Sequence, residues 1–341
     1  MTATRRGRLR ALLAAALLAL TACSSGDRPS DDAAHPAVEP EPGALPVTIE
    51  HRYGSTTVTD PPSRVVSVGY TDHDALLALG VVPVATTRWF GDYPGAVGPW
   101  ARDALDGSPV PTVLDDTNGI PFEKIATLEP DLIVGVYSDL TREEYDVLSE
   151  IAPTIAPPPD RPDFGASWRD VTTTVGRAVG RPAEARRLVA DVDRRLADVR
   201  AEHPDFQRAT AVVAALSDGY FLYGPSDPRT ELLVDVGLSP LPDLAALVGD
   251  RFGASVGREN ADVLDTDVVV WLTNDGGAEL RRDPLYNTLR TAKEGREVLI
   301  DNTSDFGNAF SQVSVTSIPY VLDRLVPKLE AALDGDPATT G

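Results

Sequence analysis

An α/β protein with central mainly parallel sheets, arranged as two lobes joined by one long α-helix, is what the sequence predicts, and three patterns predict it. First, short apolar strand segments alternate with helical segments on both sides of the middle of the chain, as strands covered by helices on both faces require. Second, Arg181 to Glu202 carries Ala185, Leu188, Val189, Val192, Leu196 and Val199 on one helical stripe, with Arg and Asp over the rest. Third, EKIATLEPDLIV (123–134) lies without a gap on ENADVLDTDVVV (259–270), setting Glu123 on Glu259, Leu128 on Leu264 and Asp131 on Asp267. Chance similarity between two helix–strand units would explain the pair alone. With a long helix between the copies, two related lobes explain it better.

At 341 residues the chain is long enough for two domains, and its hydrophobic fraction of 42% is that of a folded protein. The formal charge of −21 argues against a nucleic-acid partner, which needs a basic surface. Arg5, Arg6, Arg8 and Arg10 precede the apolar run Ala11 to Leu20, the pattern of a targeting segment too short to span a bilayer. It ends in Leu20-Thr21-Ala22-Cys23, which resembles a bacterial lipobox: cleavage leaves Cys23, the single cysteine, N-terminal and lipidated. An ordinary signal peptide with an incidental cysteine is the plainer alternative. The expected organisation is a lipoprotein signal peptide over 1–22, a disordered tether over 23–46 and an N-terminal lobe over 47–166. Linking helices over 167–204 follow, including the spine helix at 181–203, then a C-terminal lobe over 205–333 and a disordered tail over 334–341.

Within the first lobe, Val47 to Thr59 reads as a hairpin with Gly54 at its turn, and 64–68, 81–86, 111–114, 131–136 and 153–157 read as strands. Helices are expected over 72–79, 121–130 and 141–152, and over 167–180 with Ser167 as N-cap. Pro182 suits the first turn of the spine, and His203-Pro204 ends it. At ~1.5 Å per residue the spine is roughly 33 Å long. In the second lobe, strands are expected over 209–216, 219–224 and 266–272, with helices over 229–238 and 260–265, followed by the segments 284–295 and 297–301. The amphipathic stretch 314–335 contains Pro319 and Pro327, which predict either a kink or a late start. No G-x-G-x-x-G, P-loop or G-x-S-x-G follows a strand, which disfavours dinucleotide binding and α/β-hydrolase chemistry.

RVVSVGYTDHDALLALGVVPVA, the loop RWFGDYPGAVGPW, PFEKIATLEPDLIVG and LTREEYDVLSEIAPTIA, then the spine, YGPSDPRTELLVDVGL and GRENADVLDTDVVVWL, together carry a resemblance. From about Val47 to Leu333 the chain resembles the helical-backbone (class III) substrate-binding proteins that serve ABC importers of ferric siderophores, haem and cobalamin. Within them it looks most like the iron–siderophore binding lipoproteins of actinobacteria. The resemblance implies two Rossmann-like lobes with a ligand cleft between them and only small closing movements. It implies a monomer that is not an enzyme, lipid-anchored at Cys23 outside the cytoplasmic membrane, with no cofactor and a ferric siderophore as cargo. It also implies that Glu123 and Glu259 dock arginines of the two permease subunits. The plainer reading of both is an acid at a helix start, favoured by the helix dipole.

In open α/β sheets ligands sit beyond the carboxyl ends of the strands. Those ends offer Tyr70, Arg88, Trp89 and Tyr137 in the first lobe, and Tyr220, Tyr223, Trp271, Ser304 and Phe306 in the second. A bulky, coordinatively saturated and often anionic ferric complex asks for aromatic walls and one or two Arg donors, with no metal ligand from the protein. Trp271 sits in so apolar a run that a core role competes, Trp168 either caps the cleft or packs a helix, and Arg229 reads as a surface residue at a helix start. His73 lies in Asp72-His73-Asp74, but His35, His51 and His203 cannot converge on it, which disfavours a bare metal site. A hydrolase built from Asp72 and His73 with Ser304 or Ser138 is the reading from another class. The ligand stays open among hydroxamate, catecholate and carboxylate siderophores, haem and cobalamin.

Overall fold

The computed structural model describes residues 38–249 and 251–339. The signal segment, Cys23, His35 and the tether up to residue 37 lie outside the described residues. The first lobe opens with the hairpin β1 (Val47–His51) and β2 (Gly54–Val58), with His51 opposite Gly54. Arg52 and Tyr53 therefore make the turn, and Gly54 starts the second strand instead of turning the chain. There follow β3 (Val65–Ser67), α1 (Asp72–Ala78), β4 (Ala85–Thr87), β5 (Thr112–Leu114), α2 (Phe122–Thr127), β6 (Leu132–Val134), α3 (Arg142–Ile151) and β7 (Thr154–Ile155). Their sheet runs β5-β4-β3-β6-β7, parallel throughout. β4 begins only at Ala85, beyond Pro83, which has no N–H for a ladder. Thr141 and Ser167 each close a capping box, with Glu144 and Asp170, at the starts of α3 and α4 (Trp168–Ala178).

After α5 (Pro182–Glu202) the second lobe comprises β8 (Thr210–Leu216), β9 (Tyr220–Tyr223), α6 (Pro228–Asp235), β10 (Ser239–Pro240), α7 (Leu244–Val248) and β11 (Gly253–Val256). Then come β12 (Val268–Thr273), α8 (Arg290–Lys293), β13 (Glu297–Asp301), α9 (Asp305–Gln312) and α10 (Ser317–Leu333). The strand order is β11-β9-β8-β12-β13, with β10 beside β8; β9 pairs antiparallel with both β8 and β11, and the other pairs are parallel. The segment 284–295 is not a single helix, because Leu289 is extended (φ −68°, ψ 152°) between a 3₁₀ turn and α8. The stretch 314–335 starts late, at Ser317, so Pro319 falls in the first turn, where no bond is lost. β11 and α9 are additions that the sequence pattern did not mark.

The internal repeat holds in three dimensions. The offset that carries Glu123 onto Glu259 also carries the start of α2, Phe122, onto Arg258, the start of a 3₁₀ segment (Arg258–Leu264), and the start of β6, Leu132, onto that of β12, Val268. Asp131 accepts the backbone N–H and the hydroxyl of Ser63, just before β3. Asp267 does the same for Thr210, at the start of β8. Each aspartate thus ties the start of a central strand to its neighbour.

α5 belongs to two cores. Ala185 is buried in the first, with Val171, Val175 and Ala178 of α4, while Val192, Leu196 and Val199 are buried in the second, with Leu233, Phe310 and Leu325. The helix has no N-cap side chain of its own. The Glu41 carboxylate supplies one, accepting the N–H groups of Ala183 (2.7 Å) and Glu184 (2.8 Å). An acid there satisfies two orphan donors and sits at the positive end of the dipole. The last part of the expected tether, residues 38–46, is therefore fixed to the α4–α5 junction and not free. α4 and α5 meet at Gly176, where a Cβ would lie 2.3 Å from the Cβ of Ala185. Overpacking costs ~1–3 kcal/mol against about 1 kcal/mol of helix propensity gained, so Gly176→Ala should lower the urea midpoint. An unchanged midpoint would mean that the two helices separate freely at this point.

Candidate ligand-binding site

Asp72 sets the first wall. It starts α1, is completely buried, and its carboxylate accepts the N–H groups of Val136 (2.6 Å) and Tyr137 (3.1 Å), just past the end of β6. Tyr137 is thereby fixed at a strand end, 5.4 Å from the ring of Trp89 and 6.0 Å from that of Phe164. Tyr70 lies 5.5 Å from Trp89 and 5.9 Å from Phe164, and its hydroxyl donates to Asp116 (2.7 Å). Burial, with Asp116 beside it, raises the Tyr70 pKa and keeps the phenol protonated. Four aromatic residues from separate loops thus form one surface, of which the sequence pointed to three. Arg88 is exposed beside it and pairs with Asp92 at 3.1 Å.

The second wall is built from β9, β11 and α6. Phe221 and Tyr223 meet edge-on at 5.0 Å, and Phe252, just before β11, lies 5.6 Å from Tyr223. Arg229, in the first turn of α6, is 3% exposed. Its guanidinium stands 3.9 Å above the Tyr223 ring and 5.8 Å from that of Phe252. Asp227, the N-cap of α6, holds it through two bonds of 2.9 and 2.7 Å. Burial pulls the Arg229 pKa down, but the charge of Asp227 outweighs that and leaves it above its ordinary value. The sequence reading placed Arg229 on the surface, and the structure corrects it. The D-P-R segment puts the N-cap acid and the arginine two residues apart, close enough to pair, and they go inside together.

The walls meet where Phe164 and Phe252 stack edge-on at 6.4 Å. Arg161 joins them again, 2.9 Å from Asp170 and 3.5 Å from Glu231. Glu231 is pushed up to about 7, chiefly by burial, with Arg161 opposing. Beside the Phe164–Phe252 contact opens a cavity of about 730 Å³, lined by Arg52, Pro162, Asp163, Phe164, Arg251 and Phe252. A smaller one of about 190 Å³ lies within the first lobe behind Tyr70, with Asp116 and Ser138 in its lining.

Two residues expected at the site are not there. Tyr220 and Trp271 are 0% exposed in a separate core on the opposite face of the second sheet, with Leu222, Val269 and Tyr286. Tyr220 donates to Asp283 (2.6 Å), which also receives Arg258 (2.9 Å), and the Trp271 indole donates to Tyr286 (2.9 Å). The reason is strand periodicity: on β9 Tyr220 and Leu222 face inward, so Tyr223, an odd number of residues away, faces the other side. Ser304 is the N-cap of α9, its hydroxyl accepting from Gly307 and donating to the Asp301 carbonyl. Phe306 is half-buried against Phe310. Trp168 packs, at 2% exposure. Glu123 and Glu259 are both exposed, in the first turns of their helical segments.

His73 is buried on α1, its Nε2 3.5 Å from Asp74, and burial lowers its pKa against the opposing charge of Asp74. His51 bonds Thr56 (3.0 Å), and His203 lies 3.1 Å from Glu330. Among the described residues no three His, Cys, Asp or Glu side chains gather to hold a metal ion. The Ser138 hydroxyl donates to the Gly135 carbonyl, so no nucleophile–base bond joins it, or Ser304, to His73. No described helix is long and apolar enough to cross a membrane.

A family model described as periplasmic binding protein matches residues 65–303. The chain is 26% identical over 308 residues to the probable siderophore-binding lipoprotein YfiY of Bacillus subtilis, covering 84% of this chain and 88% of that one. A periplasmic solute binding protein from Mycobacterium smegmatis superposes with a TM-score of 0.75 at 37% identity, covering 84% of this chain and 98% of the other. PiaA of Streptococcus pneumoniae in complex with ferrichrome superposes with a TM-score of 0.77 at 26% identity, covering 85% and 99%.

Burial raises the Asp72 carboxyl to about 6, while the amides of Val136 and Tyr137 hold it down. In the pH range from about 4 to about 6 the folded form keeps a proton that the unfolded form has lost. The folded state therefore loses the stability contributed by this group as pH rises through that window. The melting temperature of the wild type minus that of Asp72→Asn should fall between pH 4 and 6 and then level off. A constant difference across that range would remove the titration from Asp72.

Proposed function

The chain belongs to the periplasmic binding protein family, and from that premise we propose that it captures a ferric siderophore between its two lobes and delivers it to an ABC importer. The observation that carries the reading is the pair of aromatic walls meeting at Phe164 and Phe252, with the ion-paired Arg229 buried behind one wall and a cavity of about 730 Å³ beside the contact. A saturated ferric complex presents flat chelate faces and partial negative charge at its oxygens, and rings with a desolvated guanidinium suit both. The proposed contacts are Tyr70, Arg88, Trp89, Tyr137, Phe164, Tyr223, Arg229 and Phe252. Tyr220 and Trp271 are left out because they are buried in the core on the opposite face of the second sheet, away from the two walls. The name of YfiY speaks of a siderophore-binding lipoprotein and that of PiaA of bound ferrichrome; both support the same class of cargo here.

In this reading Cys23 carries the lipid that holds the protein outside the cytoplasmic membrane, and Glu123 and Glu259 meet the two permease subunits. Their equivalent places in the repeat support the pairing. Exposed ion pairs contribute only ~0–1 kcal/mol each, so they orient docking more than they drive it.

The test is tryptophan-fluorescence quenching by ferrichrome, ferrioxamine B, ferric citrate and a ferric tris-catecholate. At least one should quench saturably. Asp227→Asn with Arg229→Gln, which leaves no buried charge alone, should weaken that complex about 10- to 100-fold, the range for a buried charged contact. Glu123→Ala with Glu259→Ala should leave quenching intact and stop iron uptake in cells. If no ferric complex quenches the wild type, the function is wrong. If the docking pair loses affinity for the complex, their assignment is wrong.

A further inference from the structure

The loop from Arg88 to Trp100 leaves the first sheet after β4, yet the hydrogen bonds of its central tyrosine go to the second lobe. The Tyr93 hydroxyl donates to Asp305 (2.6 Å) and accepts from the Asn308 amide (2.9 Å), both on α9. Asn308 is 3% exposed, so its amide has little access to water as an alternative. Burial, with Asp305 next to it, pushes the Tyr93 phenol up to about 12, so the donor is present at any physiological pH.

The backbone is shaped to present this ring. Gly91 (φ +71°) lies beneath it, and a Cβ there would fall 2.3 Å from the Tyr93 ring. At the far end Gly98 makes the same room for Trp100, with 2.3 Å to that ring. The two rings meet edge-on at 5.8 Å. The Trp100 indole donates to Asp74 (2.8 Å), and the same buried carboxylate receives the hydroxyl of Ser314, in the turn between α9 and α10. Thr86 anchors the middle of the loop by donating to the Gly95 carbonyl (2.7 Å). The loop is therefore fastened to the second lobe at Tyr93 and, through Asp74, at Ser314.

Its first residues are the ones that face the cleft. Trp89 sits 5.5 and 5.4 Å from Tyr70 and Tyr137, and Arg88 pairs with Asp92, the neighbour of Tyr93. We propose that Tyr93 is a positioning residue for ligand retention: through Asp305 and Asn308 it straps the Arg88–Trp89 edge of the first lobe to α9 of the second. This rests on the cleft reading above. A ferric complex seated against Trp89 would then leave only after the Tyr93 bonds open, and because those bonds are already made in the free protein, entry needs the same opening.

Tyr93→Phe keeps the ring and removes both bonds. Stopped-flow fluorescence with whichever of ferrichrome, ferrioxamine B and ferric citrate saturates the wild type should show dissociation about tenfold faster, the lower end for one charge-assisted bond lost. The association rate should rise by a similar factor, since entry needs the same opening. Asp305→Asn, which keeps an acceptor for the phenol, should stay near the wild-type rate, whereas Asp305→Ala, which leaves the Asn308 bond, should fall between wild type and Tyr93→Phe, and combining it with Tyr93→Phe should add nothing. Hydrogen exchange without ligand gives a second reading: residues 88–100 and 305–312 should both exchange faster in Tyr93→Phe. Equal dissociation rates in wild type and Tyr93→Phe, or equal protection of the two segments, overturns the inference. Failure of all three complexes to bind the wild type overturns the cargo reading, and the retention role with it, while the exchange arm still decides whether the strap exists.

Discussion

The absence of a side chain at Gly176 lets the first turns of the spine lie against α4, and the rest of the architecture depends on that contact. With Ala185 seated there, the following turns of the same helix place Val192, Leu196 and Val199 in the other core. A rigid rod shared by two hydrophobic cores fixes how the lobes face each other more firmly than a loop would, because moving one lobe must unpack one of the cores. Glu41, bonded to the first turn of the rod, closes a helix end that has no cap of its own. The two aromatic walls, contributed by different lobes, can meet at Phe164 and Phe252 because this framework holds them in register.

The walls solve a particular electrostatic problem. A chain with a formal charge of −21 has to receive a ligand whose surface is rich in oxygen. Under the proposed function the walls meet it with few cations, three of them held by carboxylates: Arg229 by Asp227, Arg88 by Asp92, Arg161 by Asp170 and Glu231. Burying Arg229 with its partner and over the Tyr223 ring keeps its donors oriented while limiting the desolvation penalty. Tyr70, Trp89, Tyr137 and Phe164 supply apolar area that bears no net charge at neutral pH.

Periodicity made much of this legible, and its limits explain the errors. The spine stripe, the alternating elements of the first lobe and the repeat could all be read from spacing. The repeat has a physical basis in Asp131 and Asp267, which bind the residues leading into β3 and β8 in the same way. Tyr220 was misplaced because two tyrosines three apart on one strand were assigned to one face, against the period of two. Trp271 lies on β12, a strand buried along its whole length, where no alternation marks a side. Arg229, Phe164 and Phe252 were missed for a different reason. Their role follows from which loops the two lobes bring together, and nothing local in the sequence carries that. Asp227 at the N-cap position, two residues from an arginine, was the one local sign that Arg229 had a buried partner.

A helix packed into both cores, reinforced by the Tyr93 and Asp74 contacts between the lobes, leaves room for small adjustments and little for a wide hinge. Small-angle X-ray scattering of the full chain, free and saturated with the ferric complex that binds, tests this most directly. Nearly superimposable distance distributions are the result predicted by a spine shared between two cores. A contraction of several ångströms on loading would contradict it and would require the α4–α5 junction at Gly180 to bend.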